Sequence, residues 1–147
     1  MAVTNTERVG KTLDLLRDGL RPFIEREVRA RYSGGATDQI REILSDTRLG
    51  GDRSDPLNDI AVLLVVMDRL WGDVFRLTLG RAERSLVNEL IDIRNKWAHQ
   101  NAFSSDDTYR ALDSASRLLT AVSAPQSEEI EKLKMELLRV RFDEQVR

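Results

Sequence analysis

The sequence of 147 residues contains no cysteine, one histidine and three prolines. Without cysteine the chain can form no disulfide and no thiolate zinc site, and this absence fits a reducing compartment. The single histidine, His99, leaves too few nitrogen ligands for a zinc site, and no glycine-rich segment has the spacing of a nucleotide-binding loop, so we predict no metal and no other cofactor. Imidazole titrates near neutral pH without help, which makes His99 the obvious candidate for acid–base chemistry.

An excess of positive charge is also lacking, because 23 Lys and Arg face 25 Asp and Glu and the formal net charge is -2. This balance argues against a generally basic nucleic-acid-binding protein, so any contact with RNA must be local. The amino terminus has no basic start followed by an apolar run, and the apolar stretch at residues 61–67 is too short to span a bilayer. We therefore expect a cytoplasmic protein that does not associate with membranes.

Apolar residues recur at helical spacing through most of the chain, which predicts a single, nearly all-α domain. Thr4 has capping-box spacing to Glu7, and two consecutive helices are expected to follow, with a break near residues 19–22. A short helix is expected over residues 37–44, between loops at residues 32–35 and 49–54.

The most apolar segment, residues 57–70, is hydrophobic on nearly every side and is predicted to be the central helix of the core. Asp55 is its expected N-cap and Pro56 lies in its first turn. The side chains expected to extend this helix as far as Gly80 are Trp71, Val74, Phe75 and Leu79. Two further helices are predicted: one at residues 81–100, and one that begins with a serine cap at residues 104–105 and runs to about Val122.

The last segment, residues 128–147, predicts a short coiled-coil-like seam, because apolar residues recur at steps of three and four. The seam consists of Ile130, Leu133, Leu137 and Val140. We divide the chain into a helical domain at residues 1–125 and a C-terminal helix at residues 126–147, which is either a coiled coil or a linker to a further domain. Since this helix has no stop signal, we expect the chain to be the amino-terminal part of a longer protein, or the helix to pack on a partner.

The only histidine lies near the end of the helix predicted at residues 81–100, in the sequence Arg94-Asn95-Lys96-Trp97-Ala98-His99. At about 100° per residue, one face of this helix is apolar and expected in the core; it carries Leu86, Leu90, Ile93 and Trp97. The opposite face is a polar stripe of Asn88, Asp92, Asn95 and His99, with Arg94 between the two faces. Imidazole can move protons, guanidinium can hold phosphate oxygens and an amide can orient either. The polar stripe is therefore the candidate site, and a merely solvated helix face is the alternative interpretation.

These residues resemble the signature of the HEPN superfamily (higher eukaryotes and prokaryotes nucleotide-binding): an arginine, a polar residue, three further residues and a histidine. The wider sequence at residues 83–100 and 106–113 looks like the HEPN subgroup named after a yeast RNA endonuclease of transcript quality control. In bacteria this subgroup often stands at the amino end of large ATPase or helicase-like proteins associated with phage defence. The resemblance covers the whole chain and is strongest at residues 71–145.

The resemblance implies an all-α, antiparallel helical bundle with an extended C-terminal helix, which dimerises so that the motif helices of two copies form one RNA-cleaving cleft without a metal. It implies that Arg94 and His99 are catalytic, that Asn95 positions or tunes them, and that the ribose 2′-hydroxyl attacks the adjacent phosphate. Further contacts in the cleft are expected from Asn88, Asp92, Lys96 and Gln100. The expected partners are a second copy of the chain, an RNA substrate and a downstream ATPase domain, in a phage-defence or toxin-like system.

A second hypothesis stays open, because many HEPN domains are non-catalytic. The chain would then be a dimerisation or sensor module that positions a downstream ATPase or helicase-like domain. The unfinished C-terminal helix and the acidic balance favour this alternative. Some HEPN toxins carry a tyrosine shortly after the histidine, where an antitoxin modifies it; here Gln100 and Asn101 follow, so that form of neutralisation is not predicted.

Overall fold

A computed structural model describes residues 3–46 and 54–146, and in these ranges the chain folds into six α-helices without a strand. The helices are α1 (Asn5–Tyr32), α2 (Ala36–Asp46), α3 (Ile60–Arg69), α4 (Arg81–Ala98), α5 (Ser105–Ala121) and α6 (Ser127–Val146). The predicted all-α class is therefore confirmed. None of the helices in the described ranges is both long and apolar enough to cross a membrane.

The central helix of the core is α3, as its apolar sequence predicts. It packs against α1, α2 and α4, while α5 packs against α1, α4 and α6. The buried residues of α3 are Ala61, Val62, Leu63, Leu64, Val66 and Met67. Full burial of a side chain the size of leucine or valine stabilises a fold by about 1.5–3 kcal/mol, so this helix is a major source of stability.

A single helix, α1, replaces the two helices predicted on either side of residues 19–22, so that prediction is wrong. Pro22 lies inside α1 on its exposed side, where water can satisfy the carbonyl that its missing N–H leaves without a partner. Gly19 is buried where α1 approaches the end of α5. A Cβ on Gly19 would lie 2.6 Å from Leu119 Cδ2 and 3.1 Å from Ala124 Cβ. The glycine therefore permits close helix packing and does not break the helix.

Two of the three predicted side-chain caps are confirmed. Thr4 Oγ1 accepts a hydrogen bond from the Glu7 N–H at 3.0 Å, and Ser104 Oγ accepts one from the Asp107 N–H at 3.0 Å. The helix predicted at residues 37–44 is α2. The loop predicted at residues 32–35 is the end of α1 followed by a 3₁₀ turn, Ser33–Gly35. The loop predicted at residues 49–54 lies outside the described residues, apart from Ser54.

The start of α3 differs from the prediction. Its N-cap is Asp59 and not Asp55, because Asp59 Oδ1 accepts a hydrogen bond from the Ala61 N–H at 2.8 Å. Asp55 instead faces Arg21 of α1, at 2.8 Å, and a short 3₁₀ turn, Pro56–Asn58, follows it. A charge-assisted pair with a guanidinium is stronger than a single bond to a backbone N–H, which explains why this carboxylate does not cap the helix.

The end of α3 differs as well, because the helix stops at Arg69 and does not extend to Gly80. The apolar side chains that were expected to continue it are buried in turns and in a short 3₁₀ segment, Phe75–Leu77. They are Trp71, Val74, Phe75 and Leu79. Gly72 lies in the turn between α3 and this 3₁₀ segment. Because glycine is about 1 kcal/mol less favourable than alanine inside a helix, an interruption of the helix there costs little.

The C-terminal helix α6 runs antiparallel to α5. Three hydrogen-bonded pairs join the two helices, and as the residue number falls along α5 the number of its partner rises along α6. The pairs are Ser116–Glu131, Asp113–Lys134 and Asp106–Arg141. In the predicted seam, Ile130 and Leu137 are buried and Leu133 is partly buried, whereas Val140 is 41% exposed. The first three of the four seam residues thus pack on the chain's own bundle. A coiled coil or a linker function for the last turns stays a prediction.

Candidate functional site

The predicted polar stripe lies on the exposed side of α4. Asn88, Asp92, Asn95 and His99 are all exposed. The opposite side faces the core through Val87 and Leu90, which are 0% and 1% exposed, and through Leu86 and Ile93, which are partly buried. Asn88 donates from Nδ2 to the Arg84 carbonyl of its own helix at 3.2 Å, while the side chains of Asn95 and His99 have no hydrogen-bond partner among the described residues.

Arg94 is half-buried and lies to one side of this stripe. It follows Leu90 by four residues and Val87 by seven, so it continues the line of buried side chains along α4. At 3.6 residues per turn, His99 points about 140° away from Arg94 around the helix axis. The guanidinium forms no hydrogen bond or ion pair within the part of the chain that the structure describes. One copy of α4 therefore presents a free guanidinium and a free imidazole in different directions.

His99 is the C-cap of α4, at the point where the helix ends in a Schellman motif. The Gln100 N–H donates to the Trp97 carbonyl at 3.0 Å, and the Asn101 N–H donates to the Lys96 carbonyl at 3.1 Å. Gln100 has a φ of 59°, in the left-handed region that glycine usually occupies at this position. The exposed Gln100 side chain is therefore held next to His99 by backbone bonds and not by packing.

Trp97 is not a core residue, so this part of the prediction is wrong. Its side chain is 37% exposed, and its indole Nε1 donates to the Thr6 carbonyl of α1 at 3.2 Å. The indole lies directly against Gly10, where a Cβ would be 3.1 Å from Trp97 Cζ2. An indole N–H that finds a partner at the surface is typical of tryptophan, whose ring is apolar but whose nitrogen needs a hydrogen bond. Trp97 thus joins the end of α4 to the start of α1.

Lys96, which was expected to contact the substrate or line the dimer cleft, is turned toward α5. Its Nζ lies 3.1 Å from Asp107 Oδ2 and 4.9 Å from the centre of the Phe103 ring. The hydrogen bond from Lys96 is the main cause of the lowered pKa of Asp107, and a second bond from Ser104 adds to it. Lys96 therefore fastens α4 to the first turn of α5, at the edge of the polar stripe, four residues after Asp92.

Asn5 is a residue of this region that sequence analysis missed. Its Nδ2 donates to the Phe103 carbonyl at 3.0 Å, and its Oδ1 accepts from Arg8 Nη1 at 3.1 Å. Asn5 and Phe103 are 98 positions apart, and no local pattern signals such a contact. Through Asn5 the first turn of α1 holds the loop that follows His99.

Two grooves on the surface lie away from the motif. The larger, of about 610 Å³, is open and runs between the start of α4, α5 and α6; it is lined by Leu86, Asp113, Ser116 and Lys134 among others. The smaller, of about 340 Å³, lies along α6. Neither is lined by a motif residue. Among the described residues, no group of three or more His, Asp and Glu side chains is arranged to hold a metal ion.

The chemistry that this end of α4 offers comes from two unpaired groups. An exposed imidazole without a fixed partner can exchange protons with a bound molecule, and a guanidinium without a carboxylate partner can bind phosphate oxygens with two N–H groups. The exposed Asn95 amide, next in sequence to Arg94, can donate and accept hydrogen bonds.

In a comparison with known protein families, residues 11–123 match the Swt1-like HEPN model. The match includes the whole of α4 and the motif, and it covers well over half of the chain. No curated protein and no solved structure matches the chain significantly. The resemblance drawn from residues 94–99 is therefore confirmed, and the chain belongs to the Swt1-like HEPN family.

Proposed function

We propose that the chain is a metal-independent endoribonuclease domain whose active site forms between the α4 helices of two copies. The observation that carries this proposal is the pair of unpartnered side chains, Arg94 and His99, at the end of α4. Membership of the HEPN family suggests a nuclease-type or RNA-related module. The substrate is RNA, because the attacking group is the ribose 2′-hydroxyl, which DNA lacks.

In the proposed reaction the 2′-oxygen forms a bond to the adjacent phosphorus and the bond from phosphorus to the 5′-oxygen breaks. The products are a 2′,3′-cyclic phosphate and a 5′-hydroxyl. His99 takes the proton of the 2′-hydroxyl or gives one to the leaving 5′-oxygen, and Arg94 stabilises the charge on the phosphate oxygens. Asn95 positions these groups. Acid–base catalysis and charge stabilisation each typically supply roughly 10²- to 10⁴-fold in rate.

Two features support a site shared between two copies. Arg94 and His99 point about 140° apart on one helix, so a single phosphate does not reach both by lying on one face. In addition, the two surface grooves described above are not lined by motif residues. A second α4 packed across the exposed stripe supplies the missing wall, with Asn88, Asp92 and Gln100 as further contacts to RNA or to the other copy and Lys96 at its edge.

The experiment uses single-stranded RNA and purified protein with EDTA present throughout. We expect cleavage to a cyclic phosphate and a 5′-hydroxyl, and loss of cleavage in Arg94→Ala and in His99→Ala. Arg81→Ala is the matched control, because Arg81 is an exposed arginine at the start of α4, about 20 Å from the motif along the helix. Cleavage that persists in both motif variants contradicts the assignment.

A second candidate function is a non-catalytic dimerisation or sensor module attached to a larger ATPase or helicase-like protein. The observation that favours it is an exposed apolar face on α6 from residue 135 onward, formed by Met135, Leu138, Phe142 and Val146. Such a face is typical of a surface that binds another protein. This alternative predicts a folded protein that is inert toward RNA. A setting in phage defence or in a toxin-like system, in the cytoplasm, is compatible with both functions.

A further inference from the structure

The end of α4 that carries His99 is held by the first two turns of α1. Trp97 Nε1 donates to the Thr6 carbonyl at 3.2 Å, two residues before His99. Asn5 Nδ2 donates to the Phe103 carbonyl at 3.0 Å, four residues after it. The His99 side chain itself has no partner in the described part of the chain. Its position is therefore set by backbone that α1 holds on both sides.

The indole of Trp97 leaves little room for a side chain at Gly10. A Cβ on Gly10 would lie 3.1 Å from Trp97 Cζ2, 3.2 Å from Nε1 and 3.4 Å from Cε2. Glycine is unfavourable inside a helix compared with alanine, and α1 continues for many residues on the far side of Gly10. The structure thus places a glycine at a position where the indole of Trp97 lies directly against α1.

The chain between the two anchors is also restrained. The hydrogen bonds of the Schellman motif, donated by the Gln100 and Asn101 N–H groups, fix the turn after His99. Arg8 Nη1 donates a hydrogen bond to Asn5 Oδ1 at 3.1 Å and so fixes the Asn5 side chain. Arg8 is 9% exposed and lies within the bundle. A shift of the indole is consequently passed to His99 through only two residues of helix.

We propose that Asn5, Thr6 and Gly10 form an N-terminal clamp that fixes the position of His99. Trp97 is the positioning residue, because it connects this clamp to His99. The effect on catalysis rests on the proposed ribonuclease function, whereas the effect on the His99 ring does not. Trp97 touches neither substrate nor phosphate in this scheme. It acts by fixing the direction from which the imidazole enters the site.

The test uses two variants of the full chain and two matched controls. Trp97→Phe keeps an aromatic ring but removes the N–H that reaches Thr6, and Gly10→Ala pushes the indole by a few tenths of an ångström while favouring the helix. Tyr32→Phe is the control for the first, since it removes an aromatic hydrogen-bond donor (to Asp73, 3.4 Å) about 40 Å away along α1. Gly72→Ala is the control for the second, since a Cβ there meets nothing within 4 Å.

The first readout is the NMR signal of the histidine ring, which is unambiguous because the chain has one histidine. We expect the His99 ring signal to move in Trp97→Phe and in Gly10→Ala and to stay in place in both controls. The second readout is RNA cleavage, for which we expect kcat to fall roughly 10- to 100-fold with KM nearly unchanged. In the Trp97→Phe background, Gly10→Ala is expected to add no further change, because the indole atoms that it meets are gone.

The outcomes separate this proposal from the function on which part of it rests. If the parent protein does not cleave RNA, the proposed function fails and the ring signal alone decides on the clamp. If the parent cleaves RNA but Trp97→Phe and Gly10→Ala leave both the ring signal and kcat unchanged, the clamp is overturned and the ribonuclease stands. A ring signal that moves equally in the controls also overturns the clamp.

Discussion

Arg21 and Asp55 are joined by two parallel hydrogen bonds, from Nη2 to Oδ1 at 2.8 Å and from Nη1 to Oδ2 at 3.1 Å. Arg21 also donates from Nε to Glu25 Oε1 at 2.6 Å. The hydrogen bond to Asp55, followed by that to Glu25, raises the pKa of Arg21 above its ordinary value. One guanidinium thus ties α1 to the segment that leads into the central helix α3.

Arg21→Lys is expected to lower the free energy of unfolding by about 0.5–1 kcal/mol, because lysine keeps the charge but loses the forked geometry. The loss is small, since both partners are partly exposed. Urea unfolding measures it. Arg29→Lys, an exposed position on the same helix without a partner in the described ranges, is the control and is expected to leave stability unchanged. Equal effects of the two variants contradict a special role for the pair.

A second ionic cluster attaches α6 to α5 around Lys134, whose Nζ lies 2.9 Å from Asp113 and 3.0 Å from Glu131. Burial alone raises the pKa of Asp113, but its hydrogen bonds with Lys134 and Arg117 lower it overall. A hydrogen bond from Ser116 is the main cause of the lowered pKa of Glu131. Burial acts to lower the pKa of Lys134, yet its bonds to the two carboxylates raise it overall.

These shifts fix the sign of the pH dependence. A carboxylate whose pKa is lower in the folded chain than in the unfolded chain stabilises the fold. This stability is fully present above the unfolded pKa of about 4 and is lost as the pH falls through the folded pKa. The raised pKa of Lys134 contributes stability that is present below its unfolded pKa, near about 10.4, and is lost only as pH rises above it. We expect the cluster to weaken in acid and to be intact at neutral pH.

Lys134→Met tests this cluster. We expect it to lower the free energy of unfolding by about 1–2 kcal/mol at pH 7, because the partly buried Asp113 and the exposed Glu131 each lose one of their two hydrogen-bond partners. We also expect stability to fall less steeply between pH 5 and pH 3 than in the parent, since Lys134 no longer lowers their pKa values. Lys132→Met, on the exposed side of α6, is the control and is expected to follow the parent. A Lys134→Met profile as steep as that of the parent contradicts the assignment.

Gly19→Ala is expected to destabilise the bundle by about 1–3 kcal/mol, although alanine favours a helix. The added Cβ would lie 2.6 Å from Leu119 Cδ2 and 3.2 Å from Gln126 Oε1, where α1 meets the end of α5. Thermal unfolding followed by circular dichroism checks this, with Gly72→Ala as the control at an open position. A Gly19→Ala protein that is more stable than the parent would show that the interface has room for a methyl group.

Gln100→Gly is expected to raise the free energy of unfolding by about 0.5–1 kcal/mol, because glycine adopts the left-handed conformation without steric cost. The matched comparison is Gln100→Val, whose branched side chain disfavours that conformation and is expected to destabilise the protein. Chemical denaturation ranks the three proteins. We expect the Gln100→Gly variant to be the most stable, the parent to come next and the Gln100→Val variant to be the least stable. Any other order contradicts the Schellman geometry after His99.

The sequence pattern predicts local features of this fold well and distant ones poorly. The caps at Thr4 and Ser104 and the exposed stripe on α4 follow from spacing within a few residues. The predicted break at Pro22 is absent because the cost of a proline in α1 depends on which side of the helix is exposed. Asp55 does not cap α3 because its ion-pair partner, Arg21, lies 34 positions away, beyond the reach of any local pattern. In both cases a tertiary contact or its absence decided the outcome.

The candidate site shows the same division. Periodicity placed Asn95 and His99 on the exposed face, but it also placed Trp97 in the core. Trp97 lies at the surface of the bundle because the Thr6 carbonyl supplies a partner for its N–H and Gly10 makes room for its ring. Thr6 and Trp97 are 91 positions apart in the sequence. No helical wheel of α4 contains that information.

RNA cleavage by a mixture of the Arg94→Ala and His99→Ala proteins, with EDTA present, tests the composite site most directly. Each variant alone is expected to be inactive. A mixed dimer combines Arg94 of one copy with His99 of the other, so we predict that cleavage reappears on mixing and fails on RNA with a 2′-deoxyribose at the cleavage site. A mixture that stays inactive, while the parent protein cleaves the same RNA, contradicts a cleft shared between two copies.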